Sequence, residues 1–194
     1  GGSIGFYGST LNTRQYATKG YLEKLIAQVF TGRERFEPGN PQEGYSPSPQ
    51  ERQSWLQISY MKEAYHTMGP KFTLGWMAEA LYSSKNFSEN YTATMMQAGE
   101  FAPTPHSKLM YNEAFRANQY VAAGIKPIYV LNDMFQFRTE FYGFTPIFPI
   151  KKNALNKAYY GKAFSRFEYM GEVSVICHLP FGAISAYVNH YSSP

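Results

Sequence analysis

The sequence predicts an all-β fold of antiparallel amphipathic strands, and three observations carry that expectation. Asp133 to Phe144 reads DMFQFRTEFYGF, with Phe135, Phe137, Thr139 and Phe141 at alternate positions and Gln136, Arg138 and Glu140 between them. Successive side chains of a strand point to opposite faces, so period two separates these aromatics from the charges, whereas a helix would intermix them. Phe72 to Ser83 alternates more cleanly: Phe72, Leu74, Trp76, Ala78, Ala80 and Tyr82 against Thr73, Gly75, Met77, Glu79 and Ser83. The composition agrees, being 18% aromatic, with 17 Tyr and 15 Phe, and only 16% charged, where ordinary soluble domains carry roughly 25%. Two surroundings suit such strands. In a soluble sheet the aromatics face a core; in an outer-membrane barrel they face lipid and the charges line the lumen.

Length and charge narrow the choice of class. The 194 residues read as one all-β domain over 1–194, with enough apolar material for a sizeable core. Net charge is +4, but Lys and Arg are interspersed with Glu and form no basic run, so no nucleic-acid partner is expected. The single cysteine, Cys177, excludes an internal disulfide framework. No apolar run reaches the roughly 18 residues that a transmembrane helix needs. The chain opens Gly-Gly-Ser without an initiator Met, so a removed leader or a fragment of something longer is expected.

Taken in order, Ser3 to Thr10 reads as a short strand and Leu11 to Thr18 as a polar turn. A second strand runs from Lys19 to about Arg35, with Leu22, Ile26 and Phe30 on one face and Leu25, Ala27 and Val29 on the other. Phe36 to Glu51 holds four prolines and reads as a loop. Arg52 to His66 alternates again, and the turn TMGPK joins it to the Phe72 strand. Ser84 to Lys108 is a long connection with a helical turn near Ala93 to Ala98. Leu109 to Phe115 and Gln119 to Leu131 read as strands, the latter bulged or ended at Pro127, which cannot donate to a ladder. Thr145 to Ser165 is a loop with a basic-aromatic patch; Phe167 to Leu179 and Ala183 to Ser192 form a final hairpin. About eight or nine strands result, with short turns alternating with long loops, the asymmetry of an outer-membrane barrel.

Several segments also resemble a known family. IGFYGSTLNTRQYATKG and FTGRERFEPG look like the start of the C-terminal barrel of Gram-negative patatin-like phospholipases, in which a lipase and a periplasmic domain precede a bacterial surface-antigen barrel. NYTATMMQAGEFAPTPHSK, FRANQYVAAGIKP and the hairpin around LPFGAISAYVNHY are similar too, so the likeness spans nearly the whole chain. The resemblance implies an incomplete C-terminal barrel, without the lipase and periplasmic domains, located in the bacterial outer membrane. It implies a full-length parent that is a lipid acyl hydrolase. The family's inward-folding loop carries a Val-Arg-Gly-aromatic signature, and its anchoring role would fall on Arg116 in Phe115-Arg116-Ala117-Asn118. The family's final strand ends in an aromatic residue, whereas this chain ends Ser193-Pro194, so a truncated fragment is expected.

Candidate chemistry is sparse. Gly1-Gly2-Ser3-Ile4-Gly5 spells the hydrolase pattern G-x-S-x-G, but the nucleophile elbow needs a strand before it and a helix after it. Asp133 is the sole aspartate and lies far along the chain, so no lipase dyad is written and no catalysis is expected here. Cys177 and His178 point to opposite faces, and His66, His106, His178 and His190 lack ligand spacing, so neither metal nor cofactor is expected. Glu63, Glu79, Arg138, Glu140, Glu168 and Glu172 fall on polar strand faces and predict a lumen network of cross-strand ion pairs. Phe72, Leu74, Trp76, Phe135, Phe137 and Phe141 are the expected lipid-facing residues.

Two functional expectations follow. The first is an outer-membrane barrel segment that anchors, and is a candidate to translocate, a fused patatin-like phospholipase. Its partners would be the lipid bilayer and, through open sheet edges, the rest of the barrel or neighbouring chains. The alternative is a soluble antiparallel barrel or sandwich that binds a small apolar or saccharide ligand.

Overall fold

The computed structural model describes residues 1–34 and 51–193. The strands are β1 (Gly2–Ser9), β2 (Gly20–Glu34), β3 (Glu51–Thr67), β4 (Phe72–Ser83), β5 (Gly99–Glu100), β6 (Arg116–Ala117), β7 (Gln119–Val130), β8 (Phe135–Pro146), β9 (Ile150–Lys152), β10 (Ala158–Tyr160), β11 (Glu168–Leu179) and β12 (Gly182–Tyr191). Eight of them form one sheet in the order β1-β2-β3-β4-β7-β8-β11-β12, and every neighbouring pair is antiparallel. The protein is therefore all-β, an up-and-down meander. Within the described residues β1 and β12 are not paired with each other. The loop expected over Phe36 to Glu51 lies outside the described residues except for Glu51, which opens β3.

The direction of the meander sorts the connections. Residues 10–19, 68–71, 131–134 and 180–181 turn at one end of the sheet, and the long stretches 84–118 and 147–167 lie at the other. Pro127 neither bulges nor ends its strand. The β7–β8 register is the same at Ile125↔Phe141 and Ile128↔Arg138, with pairing interrupted over Lys126 and Pro127. The missing N–H is thus absorbed as a gap in one ladder, while Pro127 stays opposite Leu74 of β4.

Two glycines on the inner face make room for tyrosine rings on the neighbouring strand. Gly75 is registered with Tyr65 and Gly124 with Tyr142. A Cβ would stand 2.7 Å from the Tyr65 ring at Gly75, and 2.2 Å from the Tyr142 ring at Gly124. Each ring occupies the space a side chain would fill, which pins register and lets the sheet curl.

The long connection 84–118 folds inward. Helix α1 (Tyr91–Gln97) starts at Asn90, whose side-chain oxygen accepts the Ala93 N–H at 2.8 Å. The strand expected over Leu109 to Phe115 does not form. Single 3₁₀ turns stand at Ser107–Leu109 and Glu113–Phe115, and the Asn112 side chain accepts from the Ala114 N–H at 2.9 Å. That local bond competes with a ladder and turns the chain. It also delivers Phe115 to the inner face, where Phe101 and Phe115 pack with Met77, Leu81, Tyr120 and Phe144 in the largest buried cluster. Part of the segment read as a plain loop, Thr145 to Ser165, is instead the β9–β10 hairpin. It covers α1 through Ile150, Met95 and Ala98, and Asn156 accepts the Tyr91 N–H at 2.8 Å.

Candidate functional site: a charged interior and an apolar exterior

Period two sends half of every long strand to each face. On β8 the inward Gln136, Arg138 and Glu140 are 2%, 2% and 6% exposed, while the outward Phe135, Phe137 and Phe141 stand at 37%, 46% and 54%. On β4, Met77 is buried inward, whereas Phe72 is exposed and Leu74 and Trp76 are half-exposed outward. Outward exposure of large apolar side chains recurs on the rest of the sheet: Ile4, Leu25, Ile58, Ile125, Val173 and Val188. From Phe72 to Tyr82 the apolar face of β4 covers ten residue steps. At about 3.4 Å per residue, a strand tilted by about 40° would give this face a height of about 26 Å.

Behind this exterior the interior divides in two. Toward the long-loop end it is an aromatic core, a departure from the wet polar lumen expected of it. Phe101 lies 5.9 Å from Phe144 and 6.1 Å from Tyr142 between ring centroids, and Phe115 lies 5.7 Å from Phe144. Toward the short-turn end the interior is charged. Arg138 sits 3.0 Å from Glu140, and Lys126 sits 3.2 Å from Glu63. The Tyr65 phenol donates to Glu63 and the Tyr142 phenol to Glu140, and at the border with the aromatic core Tyr120 donates to Glu79 at 2.5 Å. Asn189 donates to Glu172 at 3.3 Å.

The structure brings Glu63, Glu79, Arg138, Glu140 and Glu172 to the wall of one cavity of about 560 Å³. Glu168 stands apart at the long-loop rim, where Arg166 donates to it at 2.7 Å and Ser193 at 2.8 Å. Reading the sequence strand by strand did not find Lys126, although Val121, Ala123 and Ile125 point outward and counting by two places Lys126 inward. Nor did it find the backbone of residues 16–17. Arg138 donates to the Ala17 carbonyl at 3.0 Å, Gln136 donates to the Tyr16 carbonyl at 3.2 Å, and the Tyr16 phenol donates to Ser185 at 2.9 Å. The β1–β2 connection thus crosses the concave face from the first strands to the last. Tyr16 lines both the charged cavity and a second one, of about 730 Å³, at the short-turn mouth.

Arg116 holds the inward segment chiefly to itself. Its guanidinium donates to the Met96 carbonyl at 3.1 Å and the Ala98 carbonyl at 3.3 Å, capping the end of α1, and pairs with Glu100 at 2.7 Å. The Tyr111 ring lies 4.8 Å beneath it. In the same connection, burial pushes the Tyr91 phenol above its ordinary range, with help from the hydrogen bond to Glu113. Burial lowers the Lys85 ammonium, which stands 4.6 Å over the Trp55 ring.

Ser3 lies within β1 opposite Gln28, in a strand that continues to Ser9 rather than turning into a helix. His178 faces inward, 2.7 Å from the Gln136 side chain, and the half-buried Cys177 faces the other way. Among the described residues no group of His, Cys, Asp or Glu has the placement to hold a metal ion. No helix there is long and apolar enough to cross a membrane, which says nothing of strands. Comparison with protein families, curated proteins and solved structures found no significant match in any of the three.

Proposed function

We propose that this sheet is a segment of an outer-membrane β-barrel that anchors a fused patatin-like phospholipase. The observation that carries the membrane part is the sheet's polarity: large apolar side chains exposed on the outer face, with charged groups paired and buried inside. Water penalises that arrangement and lipid rewards it, since exposed apolar area costs about 25 cal/mol per Å². A soluble sheet would turn Phe137 and Phe141 into a core, and they stand outside. The fusion to a lipase rests on the resemblance of the QYATKG and PTPHSK segments alone. Each edge strand, β1 and β12, has a sheet neighbour on one side only among the described residues. The reading therefore includes further strands at those edges, from the rest of the barrel or from neighbouring chains.

The two tryptophans provide the test. Trp76 lies on the outward face of β4, whereas Trp55 faces inward, stacked on Phe30 at 5.0 Å. In Trp55→Phe the remaining emission comes from Trp76. Brominated lipid should quench it strongly in vesicles, and an aqueous quencher should not. Emission untouched by brominated lipid and quenched from water would overturn the membrane reading.

A further inference from the structure

The stretch from Thr145 to Phe167 contains no Asp or Glu but carries Lys151, Lys152, Lys157, Lys162 and Arg166. All four lysines are exposed, and among the described residues none lies within ion-pair distance of a carboxylate. Arg166 is already occupied by Glu168. The β9–β10 hairpin fixes two of the lysines, since Lys151 is registered with Tyr159 and Lys152 with Ala158. The Lys151 stem lies against Gly161, where a Cβ would meet its Cε at 2.8 Å.

Large apolar side chains stand among these cations. Leu155, Phe164 and Phe167 are 79%, 62% and 65% exposed. Phe164 holds a positive φ of 51°, a backbone conformation unfavourable for an aromatic residue, and its N–H is bonded to the Ile147 carbonyl. The Phe167 ring covers Gly143, about 3.0 Å from where a Cβ would project on the outward face of β8. The apolar exterior is therefore continuous with the cationic loop through Phe167, Phe141 and Tyr169.

We propose that residues 151–167 form a docking surface for anionic lipid headgroups at the long-loop end of the sheet. The lysines meet lipid phosphates, and Phe167, which lies over Gly143 on the outward face of β8, meets the acyl chains just below, with the exposed Phe164 close to it in sequence. Charge and position commit the site to lipid. A free phosphate would use the lysines but leave the apolar residues in water; a headgroup with its chains uses both. The inference rests on the membrane reading above and adds a lipid preference to it.

The test uses the chain reconstituted in phosphatidylcholine bilayers that contain a trace of spin-labelled phosphatidylglycerol or spin-labelled phosphatidylcholine. The motion-restricted fraction of each label reports its association with the protein. Wild type should favour phosphatidylglycerol by about fivefold or more, the factor carried by one lysine near an anionic surface, and rising salt should erode the preference. Replacing Lys151, Lys152, Lys157 and Lys162 together by Gln should bring the ratio close to one, while the matching Arg variant should keep it. These exposed positions can change without touching the sheet's interior. Equal restriction of both labels in wild type overturns the headgroup site and leaves the membrane reading standing. No restricted lipid at all overturns the membrane reading itself. If inorganic phosphate abolishes the preference more than chloride of equal ionic strength, the surface is an ion site and the lipid assignment fails.

Discussion

Arg138 and Glu140 offer the sharpest probe of the interior. Their side chains are 2% and 8% exposed and 3.0 Å apart, and Arg138 also donates to the Ala17 carbonyl at 3.0 Å. Replacing Arg138 by Met keeps much of the volume but leaves the Glu140 carboxylate without its ion-pair partner and the carbonyl without its donor. Breaking a buried pair from one side costs about 3–5 kcal/mol. The pair borders the cavity of about 560 Å³, which gives the orphaned carboxylate room for water, so the lower end, about 3 kcal/mol, is expected. Glu140→Gln keeps an acceptor for Tyr142 and leaves Arg138 its bond to the Ala17 carbonyl, so it too should cost about 3 kcal/mol, the lower end of the same range. The double variant removes both charges together and should cost about 2 kcal/mol less than the sum, within the coupling range of contacting residues. The assay is urea unfolding of each variant from lipid vesicles, with all four proteins compared at constant m-value. Costs that add to within about 0.5 kcal/mol would refute the pairing.

Two further outcomes are expected. Arg116→Ala should cost about 2 kcal/mol, as it removes charge-assisted bonds to Met96, Ala98 and Glu100; amide exchange across 95–117 should quicken, and Arg116→Lys should not restore it, because a single ammonium nitrogen lacks the fork whose Nη1 reaches the carbonyls and whose Nη2 reaches Glu100. Unchanged exchange would remove the anchoring role. Phe137→Arg should cost about 2–4 kcal/mol in vesicles, whereas Phe137→Leu should be close to neutral there, since fluid lipid leaves no cavity; a Leu variant that destabilises protein already folded in plain buffer would sink the membrane reading.

The strands and their faces were legible because side-chain direction on a strand depends only on parity. Parity places Phe137 on one face and Arg138 and Glu140 on the other without knowledge of any partner, but which face is outward comes only from the fold, where Phe137 is exposed and Arg138 and Glu140 are buried. Parity gives no access to contacts between distant segments. Ala17 and Arg138 stand 121 positions apart, and nothing local in QYATKG announces that its backbone will bridge the concave face. The same blindness misread Leu109 to Phe115, where Asn112 caps a turn that alternation alone cannot distinguish from a strand. It also bears on the lumen. Gln136 lies on the polar face, where exchange among polar residues looks harmless, yet its amide is buried between the Tyr16 carbonyl and His178. A larger cation there would lose both partners and stand near Arg138.

Under the proposed membrane reading, the interior also bears on whether the molecule anchors or translocates. Five cations (Arg14, Lys24, Lys108, Lys126 and Arg138) and four carboxylates (Glu63, Glu79, Glu140 and Glu172) line the charged cavity. Such a balance gives the cavity little field with which to select an ion of either sign. Above it, Phe101 and Phe115 fill the space between the sheet and the inward segment. Below it, residues 16–17 are tied to β8 and β12 by three hydrogen bonds. Passage of a polar solute would require unpacking the aromatic core, at about 1.5–3 kcal/mol for each buried phenylalanine, and also releasing Arg138 from Ala17. Anchoring requires neither. Under the proposed membrane reading, an interior filled by Phe101 and Phe115 and crossed by the Arg138–Glu140 and Lys126–Glu63 pairs favours a filled anchor over an open channel.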